Sequence, residues 1–307
     1  LEEAHSEPVA RSVLVTAPAG IGKSRLRAEL SRSIAQSQQN VQVVVARGEA
    51  LSAGAPFSML SKLIRGALGL RQGEPADAAR ERMVSRLRGT IAPLDLARVS
   101  EFLGEIVGVH FPESVQLRAA RQDSVLMGDQ MRRAWEDFLA AECRSSTVLI
   151  VLEDLHWGDL PTVKFVDAAL RALADRPLMV LALARPEVHD VFPKLWVDRG
   201  VEEMRLSPLT RKAGERLVKA VLGDGVPAET VSALVERAGG NAFYLEEMIR
   251  SFAEGRSADL PESVLGMVQA RLGSFPAEAR RVLRAASVFG EAFWHGGVAA
   301  LLESEAE

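Results

Sequence analysis

Cysteine is nearly absent from this chain, whose 307 residues include only Cys143. One cysteine excludes an internal disulfide framework and leaves too few ligands for a zinc site built on cysteine. Cys143 lies at the end of a predicted helix, where we interpret it as a small hydrophobic residue. So little cysteine is typical of a reducing compartment, and we therefore expect a cytoplasmic protein.

Long hydrophobic runs are also missing. The longest, Val148–Leu152 and Leu178–Ala184, are far shorter than the ~20 residues that a membrane-spanning helix needs, so no membrane partner is predicted. The chain begins Leu-Glu-Glu-Ala-His, without an initiator methionine or an apolar signal region, and it ends within a helical pattern. We expect it to be cut from a longer polypeptide.

An excess of positive charge is absent as well. The formal net charge is -4 and the pI is about 5.9, which argues against a surface for direct nucleic-acid binding. Hydrophobic residues make up 48% and charged residues 25%, so the composition is that of a globular protein with enough residues for two or three domains. The sequence contains no internal repeat and no low-complexity segment.

Short apolar runs alternate with helical patterns in the first two thirds of the chain. The predicted strands are Val13–Thr16, Val41–Ala46, Val148–Leu152, Leu178–Ala184 and a weaker Glu202–Leu206. Runs such as Val41–Ala46 are typical of strands buried on both faces. The predicted helices lie between Pro56 and Val125, from Gly128 to about Glu142, and over Val163–Ala174.

Beyond Pro208 the pattern is helical only. The predicted helices are Arg211–Leu222, Pro227–Ala238, Asn241–Ala253, Ser263–Leu272 and Ala277–Ser287. The Gly239-Gly240 pair stops one of these helices, and Asn241 can cap the next. This order predicts an α/β domain with a parallel five-stranded sheet flanked by helices, followed by helical subdomains.

A phosphate-binding loop is predicted between the first strand and the first helix. Residues 17–24 read Ala-Pro-Ala-Gly-Ile-Gly-Lys-Ser, which fits G-x-x-x-x-G-K-[ST] with Ala17 in place of the first glycine. Gly20 and Gly22 let the backbone curl so that successive N–H groups face phosphate oxygens. Ala17 removes no phosphate donor, although it requires a negative φ or some strain.

The helix that follows the loop adds the side chains for nucleotide binding. Its N-terminus presents the positive end of the helix dipole to phosphate. We expect Lys23 to neutralise the β- and γ-phosphates of ATP, and Ser24 to bind Mg²⁺ through its hydroxyl. The residues expected to bind the nucleotide here are Gly20, Ile21, Gly22, Lys23, Ser24 and Arg25.

Two acids end the third predicted strand. Val148–Leu152 runs directly into Glu153 and Asp154, then Leu-His-Trp-Gly-Asp. In a phosphate-loop protein, one such carboxylate holds Mg²⁺ and the other orients or deprotonates the attacking water. We assign the metal to Glu153 and catalysis to Asp154, with an exchange of these roles left open. His156 and Trp157 are predicted either to pack or to contact nucleotide or a partner.

The string Glu-Asp-Leu-His-Trp-Gly-Asp, with Ala-Gly-Ile-Gly-Lys-Ser-Arg-Leu upstream, resembles the ATPase modules of the signal-transduction class of P-loop ATPases. These modules occur in large LuxR-type regulators and in bacterial Ser/Thr kinase and cyclase fusions. The resemblance implies ATP or ADP with Mg²⁺ as ligands and a preference for ATP over GTP. As partners it implies kinase, cyclase or DNA-binding effector domains of the same polypeptide, and nucleotide-dependent self-association.

Later segments extend the resemblance. Arg205–Leu209 is similar to the strand and linker into the family's helical lid, and Gly240–Glu247 to its Gly-Asn-Pro stretch, with Ala242 in place of proline. Leu260–Gly290 resembles the opening of a winged-helix subdomain. The family's Gly-Arg-Glu segment before the phosphate loop is missing. The implied parts are an α/β domain over 1–207 with a helical insert at about 56–128, a lid over 208–257 and a truncated winged-helix subdomain over 258–307.

Two further residues are expected in the site. Arg185 directly follows the fourth strand, which the family topology places between the two motif-bearing strands, so its guanidinium is expected to sense the γ-phosphate. A solvated arginine at a strand end is the alternative.

Pro208 is predicted either to touch the base or simply to start a helix. Asn241 is interpreted as a cap. The cluster Arg280, Arg281 and Arg284 is interpreted as a solvated face rather than a DNA-recognition surface.

Together these features predict a regulatory ATPase that hydrolyses ATP slowly and switches effector domains. Two alternatives remain. The first is a scaffold that holds ADP and never turns over, and the second is a DNA-binding module that uses the winged helix.

Overall fold

The computed structural model describes residues 6–37, 39–71, 73–255, 275–289 and 293–304, together with the single residues 1, 4, 266, 269, 272 and 273. The chain forms two compact units. The first comprises Leu1–Pro18 and Lys23–Arg205, and the second comprises Ala19–Gly22 and Leu206–Glu307. Among the described residues, no helix is both long enough and apolar enough to cross a membrane.

A five-stranded parallel sheet organises the first unit. Its strands are β1 (Arg11–Thr16), β2 (Val41–Arg47), β3 (Thr147–Glu153), β4 (Leu178–Ala184) and β5 (Glu202–Arg205). The strand order is β2-β3-β4-β1-β5 and every pairing is parallel. The predicted α/β fold and all five predicted strands are confirmed. β4 lies between β1 and β3, so the strand ends at Thr16, Glu153 and Ala184 share one edge of the sheet.

Burial follows this order. The central strands β3 and β4 are buried almost throughout, as their continuous apolar runs predict. The same prediction is wrong for β2, whose residues alternate and whose Val43 and Val45 are 36% and 37% exposed. The reason is position, because β2 is an edge strand and one of its faces is less covered than those of the central strands β3 and β4. β5, at the opposite edge, is exposed throughout.

Helices flank the sheet and form an insert between β2 and β3. The helices of the first unit are α1 (Lys23–Gln36), α2 (Ser58–Leu68), α3 (Ala76–Arg88), α4 (Pro93–Val107), α5 (Val115–Ala120), α6 (Ser124–Glu142), α7 (Leu160–Ala172) and α8 (Val188–Val191). The insert contributes many of the largest fully buried side chains, including Leu60 of α2, Phe102 of α4 and Trp135 of α6.

Two helices begin earlier than the apolar periodicity predicts. α6 begins at Ser124, because the Asp123 carboxylate caps it by accepting hydrogen bonds from the amides of Val125 and Leu126 at 2.9 and 3.2 Å. α7 begins at Leu160, because Asp159 accepts a hydrogen bond from the Thr162 amide at 2.8 Å. In both helices a polar cap sets the first turn before the buried stripe begins.

The second unit is helical. Its helices are α9 (Arg211–Leu222), α10 (Ala228–Ala238), α11 (Ala242–Ala253), α12 (Ala277–Ser287) and α13 (His295–Ser304). α9, α10 and α11 share an apolar core that includes Val218, Leu234 and Leu245. The Asn241 cap is confirmed, since its Oδ1 accepts a hydrogen bond from the Tyr244 amide at 3.0 Å. The predicted helix over Ser263–Leu272 and the start of the predicted winged-helix segment lie outside the continuously described residues.

Candidate functional site

The predicted phosphate loop connects β1 to α1. Gly20 and Gly22 have φ values of +82° and +119°, a backbone conformation that favours glycine and that the predicted curl requires. Ala17 is buried, has no positive φ, and extends the pairing of β1 with β4 through a 3.1 Å hydrogen bond from its amide to the Ala184 carbonyl. Ala17 therefore fits its position without strain.

The loop tip, residues 19–22, belongs to the second unit. The Asn241 Nδ2 group donates a hydrogen bond to the Ala19 carbonyl at 3.2 Å, and the Phe243 amide donates one to the Gly20 carbonyl at 2.9 Å. A Cβ atom on Gly20 would lie 2.4 Å from Asn241 Oδ1, so a side chain at position 20 is excluded by contact as well as by φ. Asn241 is thus both a helix cap and a partner of the loop backbone.

Lys23 stands at the first position of α1. Its ammonium donates hydrogen bonds to the carbonyls of Ala17 at 2.6 Å and Pro18 at 3.1 Å. Burial lowers the pKa of Lys23, the nearby Asp154 carboxylate raises it, and the Arg185 guanidinium lowers it further. Asp154 and Arg185, which follow the ends of β3 and β4, are therefore both close enough to Lys23 to act on its charge.

The two acids at the end of β3 are each paired with an arginine. The Nε atom of Arg27, on α1, lies 2.8 Å from Glu153 Oε1 and forms an ion pair with it. The N–H bond of this Nε atom does not point at the carboxylate, so the pair is not hydrogen-bonded. Arg47, the last residue of β2, donates a hydrogen bond from Nε to Asp154 Oδ2 at 2.9 Å. The Glu153 and Asp154 side chains are only 14% and 20% exposed, so these pairs lie partly out of water.

Asp154 has an unusual backbone. Its φ of 50° and ψ of 42° place it in the left-handed region, which aspartate tolerates better than most residues but which still costs about 1 kcal/mol. A 3₁₀ turn, Leu155–Trp157, follows at once. A Cβ atom on Gly48 would lie 2.5 Å from the Asp154 carbonyl oxygen, so the chain leaving β2 passes directly against this turn.

The turn after Asp154 meets the end of β4. His156 is 8% exposed, and its Nδ1 atom accepts a hydrogen bond from the Arg185 amide at 3.2 Å. Burial lowers the pKa of His156, with an opposing effect from Asp154, so the ring is neutral near pH 7. The Arg185 guanidinium carbon lies 5.3 Å from the centroid of the Trp157 ring, within the range of a cation–π contact.

Asp159, the last residue of the acidic string, is fully buried. Its carboxylate accepts hydrogen bonds at the start of α2 from the Phe57 amide, the Ser58 hydroxyl and the Met59 amide, at 2.9, 3.1 and 3.3 Å. It also accepts from the amide and hydroxyl of Thr162, both at 2.8 Å. Asp159 therefore joins α2 to α7 and has a structural role.

The structure brings some predicted site residues together and leaves others apart. Lys23, Glu153, Asp154 and Arg185 lie at one edge of the sheet in the first unit. Ser24 and Arg25 are exposed on the first turn of α1, where Arg25 forms an ion pair with Glu29 at 2.7 Å. The roles expected for Ile21 and Arg25 in nucleotide binding stay predictions.

Pro208 belongs to the second unit. It precedes α9, which begins at Arg211 with a hydrogen bond from the Ala213 amide to the Thr210 hydroxyl at 3.2 Å, so Pro208 does not start the helix. The next residue, Leu209, donates its amide to the Gly240 carbonyl at 2.8 Å. Contact of Pro208 with the base stays a prediction. In the arginine cluster of α12, Arg280 and Arg284 are exposed and Arg281 donates a hydrogen bond to the Leu302 carbonyl at 2.9 Å.

The residues at the edge of the sheet fit Mg²⁺ that arrives with a nucleotide. Among the described residues, no group of three or more histidine, cysteine, aspartate or glutamate side chains forms a metal site by itself. Magnesium bound with nucleotide needs only one or two carboxylates, since phosphates and water fill its other positions. The Ser24 hydroxyl and the carboxylates of Glu153 and Asp154 are the hard oxygen ligands that such an ion takes.

Three partners of these acids and of Arg185 were not predicted from sequence. Arg47 carries a signal that could have been read, because β2 ends in Arg47 as β3 runs into two acids, and parallel strands in one sheet end at the same edge. Arg27 lies on α1, and no such signal marks it as a partner of Glu153. Nothing local to His156 indicates that its ring accepts the Arg185 amide, a pairing between residues far apart in the chain.

A strand, a glycine loop with Lys23 at the start of a helix, and a strand of the same sheet that runs into two acids define a P-loop ATPase module. The family model described as an AAA ATPase domain matches residues 1–181. The match covers more than half of the chain, and the protein belongs to this family.

Two individual proteins are similar to the chain. An uncharacterized protein of Rhizobium meliloti (strain 1021) is 24% identical over 298 residues, which are 91% of this chain and 27% of that protein. The chain thus spans about a quarter of the length of this relative. The structure of the Aeropyrum pernix ORC1 protein in complex with DNA is 15% identical, with a TM-score of 0.48, over 96% of this chain and 71% of that one.

Proposed function

We propose that this chain is a regulatory ATPase module of the signal-transduction class, in which the state of the bound nucleotide, ATP or ADP, switches effector domains. The observation that carries the proposal is the meeting of three charged residues at the ends of three adjacent strands. Lys23 begins the helix after β1, Asp154 follows β3 and Arg185 follows β4, and the last two residues both act on the charge of Lys23. Such an edge is where open α/β sheets bind their ligands.

Each of these residues has a role suited to its chemistry. The Lys23 ammonium donates hydrogen bonds to loop carbonyls. In the presence of nucleotide it would instead donate them to phosphate oxygens, which are stronger acceptors because they are charged. Glu153 and the Ser24 hydroxyl would hold Mg²⁺, which when bound neutralises charge on the phosphates. Asp154 would orient or deprotonate the attacking water, and Arg185 would pair with the γ-phosphate.

One observation favours a second candidate, a module that holds nucleotide without turning it over. The Asp154 carboxylate, the group proposed to act on water, accepts a hydrogen bond from Arg47 Nε at 2.9 Å. The contact occupies Oδ2, one of the two carboxylate oxygens that could accept a proton or a hydrogen bond from the attacking water. Slow turnover would follow if the pair persists with nucleotide bound.

A single-turnover assay separates the two candidates. Excess protein is mixed with trace γ-labelled ATP and Mg²⁺, and released phosphate is followed against a Lys23→Ala control. The regulatory ATPase requires release of phosphate that the parent catalyses and the control does not. Tight retention of unhydrolysed ATP by the parent would favour the second candidate, a module that binds nucleotide without hydrolysing it.

Limited proteolysis tests switching directly. Charge-assisted bonds to a γ-phosphate contribute about 1.5–3 kcal/mol each, enough to shift a two-state equilibrium about tenfold or more. We expect saturating ATP, but not ADP, to change cleavage in the segment Leu206–Thr210, and Arg185→Ala to abolish the difference. Identical digestion with both nucleotides would leave a nucleotide-binding module without a switch.

Effector domains of the same polypeptide are the proposed partners. Kinase, cyclase and DNA-binding domains are the candidates that the resemblance implies, and nucleotide-dependent self-association is a further candidate. A salt titration of duplex DNA binding would test the DNA-binding alternative, since contacts to phosphates weaken steeply with salt. Arg281 on α12 is half-buried and donates a hydrogen bond to the Leu302 carbonyl, so it is less available for a phosphate contact than an exposed arginine.

A further inference from the structure

His156 and Trp157 follow Glu153 and Asp154 in the chain but have no part in the proposed chemistry. Both contact Arg185, and they do so at opposite ends of that residue. The His156 ring accepts a hydrogen bond from the Arg185 backbone amide, and the Trp157 ring faces its guanidinium. The two rings also contact each other, with centroids 4.6 Å apart.

The hydrogen bond from the Arg185 amide shows that His156 serves as an acceptor. Because Nδ1 accepts the Arg185 N–H, the proton of the neutral ring is on Nε2. That Nε2 atom is buried and has no hydrogen-bond partner among the residues that the structure describes. An apolar side chain would avoid the penalty of this unpartnered N–H. The histidine therefore costs stability on one side of its ring and supplies a needed acceptor on the other.

The Arg185 amide needs an acceptor because β4 ends at Ala184. Residues Met179 to Ala184 pair with β1, and Arg185 is the first residue beyond this ladder. A backbone N–H at this point would otherwise be half-buried without a sheet partner. His156 closes the gap and so determines where the chain leaves the strand and from which point the Arg185 side chain extends.

Trp157 acts on the other end of the same side chain. A guanidinium 5.3 Å from an indole centroid is attracted to the face of the ring and loses much of its rotamer freedom. Arg185 has no ion-pair partner among the salt bridges of the described residues, and the Trp157 indole contacts its charged group. The charge is thereby held ready without being neutralised by a carboxylate.

We propose that His156 and Trp157 are positioning residues that hold Arg185, through its amide and its guanidinium, for contact with a γ-phosphate. This inference rests on the function proposed above for Arg185. The turn Leu155–Trp157, which follows Glu153 and Asp154, would thereby hold the arginine proposed to distinguish ATP from ADP.

A double-mutant cycle tests the role of Trp157. The measured quantity is the ratio of ATP to ADP affinity, by calorimetry with Mg²⁺, for the parent, Trp157→Leu, Arg185→Ala and the double variant. We expect Trp157→Leu to lower the ratio about three- to tenfold, the range of a cation–π contact, and to have no further effect when Arg185 is already alanine. Additive effects would contradict the positioning role, because Trp157 would then act independently of Arg185.

The role of His156 is tested by the position of its acceptor. Asparagine places Oδ1 where the histidine has Nδ1, whereas glutamine places its oxygen nearer to Nε2. We expect His156→Asn to retain most of the ATP-to-ADP ratio and His156→Gln to lose it. Equal loss in both variants, at unchanged melting temperature, would contradict the assignment. If neither variant folds, the Trp157 cycle decides alone.

His189→Leu is the matched control. His189 is exposed on α8 and pairs with Glu203, so its removal should leave the affinity ratio unchanged. Fluorescence adds a readout without nucleotide. The emission of Trp157, obtained by subtracting the spectrum of Trp157→Phe, should change in Arg185→Met because the cation has left the ring.

The outcomes separate this inference from the proposed function. A parent protein that binds ATP and ADP equally would contradict the γ-phosphate role of Arg185 itself. A parent that discriminates between them, with additive variants and unchanged Trp157 emission in Arg185→Met, would contradict only the positioning role.

Discussion

Arg47 and Asp154 form a hydrogen-bonded ion pair, with Arg47 Nε 2.9 Å from Asp154 Oδ2. The two residues leave neighbouring strands at the same edge of the sheet, and the register places Arg47 directly opposite Glu153. The acid proposed to act on water is thus already engaged by a cation from the protein. The pair makes the reactivity of Asp154 depend on a residue outside the phosphate loop and the acidic string.

The first prediction concerns this pair. Arg47→Ala should raise the single-turnover rate of ATP hydrolysis by up to about fivefold, because a partly exposed ion pair contributes up to about 1 kcal/mol. The measurement is phosphate release at saturating protein. Arg98→Ala, which removes an arginine paired with Asp95 and Asp137 on the insert, is the control and should have no effect. A rate lowered by Arg47→Ala would mean that the arginine assists the reaction.

Lys23→Ala should weaken ATP binding about ten- to hundredfold while leaving the fold intact. The ammonium is expected to contact phosphate, and a charge-assisted hydrogen bond is worth about 1.5–3 kcal/mol. Its present partners are the loop carbonyls of Ala17 and Pro18, so its loss leaves no gap in the core. Calorimetry measures the affinity and thermal melting the fold, with exposed Lys194→Ala as the control. Equal ATP affinity of variant and parent would show that Lys23 does not contribute to nucleotide binding.

The two acids should separate by function. Asp154→Asn is expected to retain binding of ATP and Mg²⁺ but to stop hydrolysis, whereas Glu153→Gln is expected to raise the Mg²⁺ concentration needed for binding. Both substitutions keep the size of the side chain and remove its charge. Magnesium titrations of ATP binding, followed by single-turnover assays, distinguish the two roles. The reverse pattern would mean that Asp154 binds the metal and Glu153 acts on water. If neither substitution changed binding or hydrolysis, the two acids would be a solvated strand end.

Asp159→Ala should destabilise the first unit by about 3 kcal/mol or more. The carboxylate is fully buried and accepts five hydrogen bonds, and each buried donor left without a partner costs about 1–3 kcal/mol. Urea unfolding measures the change. The control is Asp175→Ala, an aspartate whose side chain is 84% exposed, which should change stability by no more than about 0.5 kcal/mol. Similar values for both variants would contradict the structural role of Asp159.

Cys143 should resist thiol reagents in the folded protein. Burial raises the pKa of its thiol from 9.0 to about 12, so the thiolate fraction near pH 8 falls about a thousandfold. Labelling with a chromogenic disulfide should be slow in buffer and rapid in denaturant. The same shift lowers stability as the pH rises from 9 towards 12, because the unfolded thiol ionises before the folded one. Fast labelling of the native protein would show that the thiol is accessible.

The sequence alone determined the features that depend on neighbouring residues. The loop from Gly20 to Ser24, the acids at the end of β3 and the positions of the five strands could be read from local patterns. A positive φ needs glycine, and a buried strand needs a continuous apolar run. The caps Asp123 and Asp159 were equally local, but the apolar periodicity beyond them predicted later helix starts.

The tertiary structure alone decided the pairings. Burial of β2 on one face only follows from its place at the edge of the sheet, which no pattern within Val41–Arg47 encodes. The contacts of Arg47 with Asp154 and of His156 with Arg185 join residues 107 and 29 positions apart. Parallel strands are connected by crossovers, so which strand ends become neighbours depends on strand order and register. Those are properties of the assembled sheet, because each is selected by packing on both of its faces.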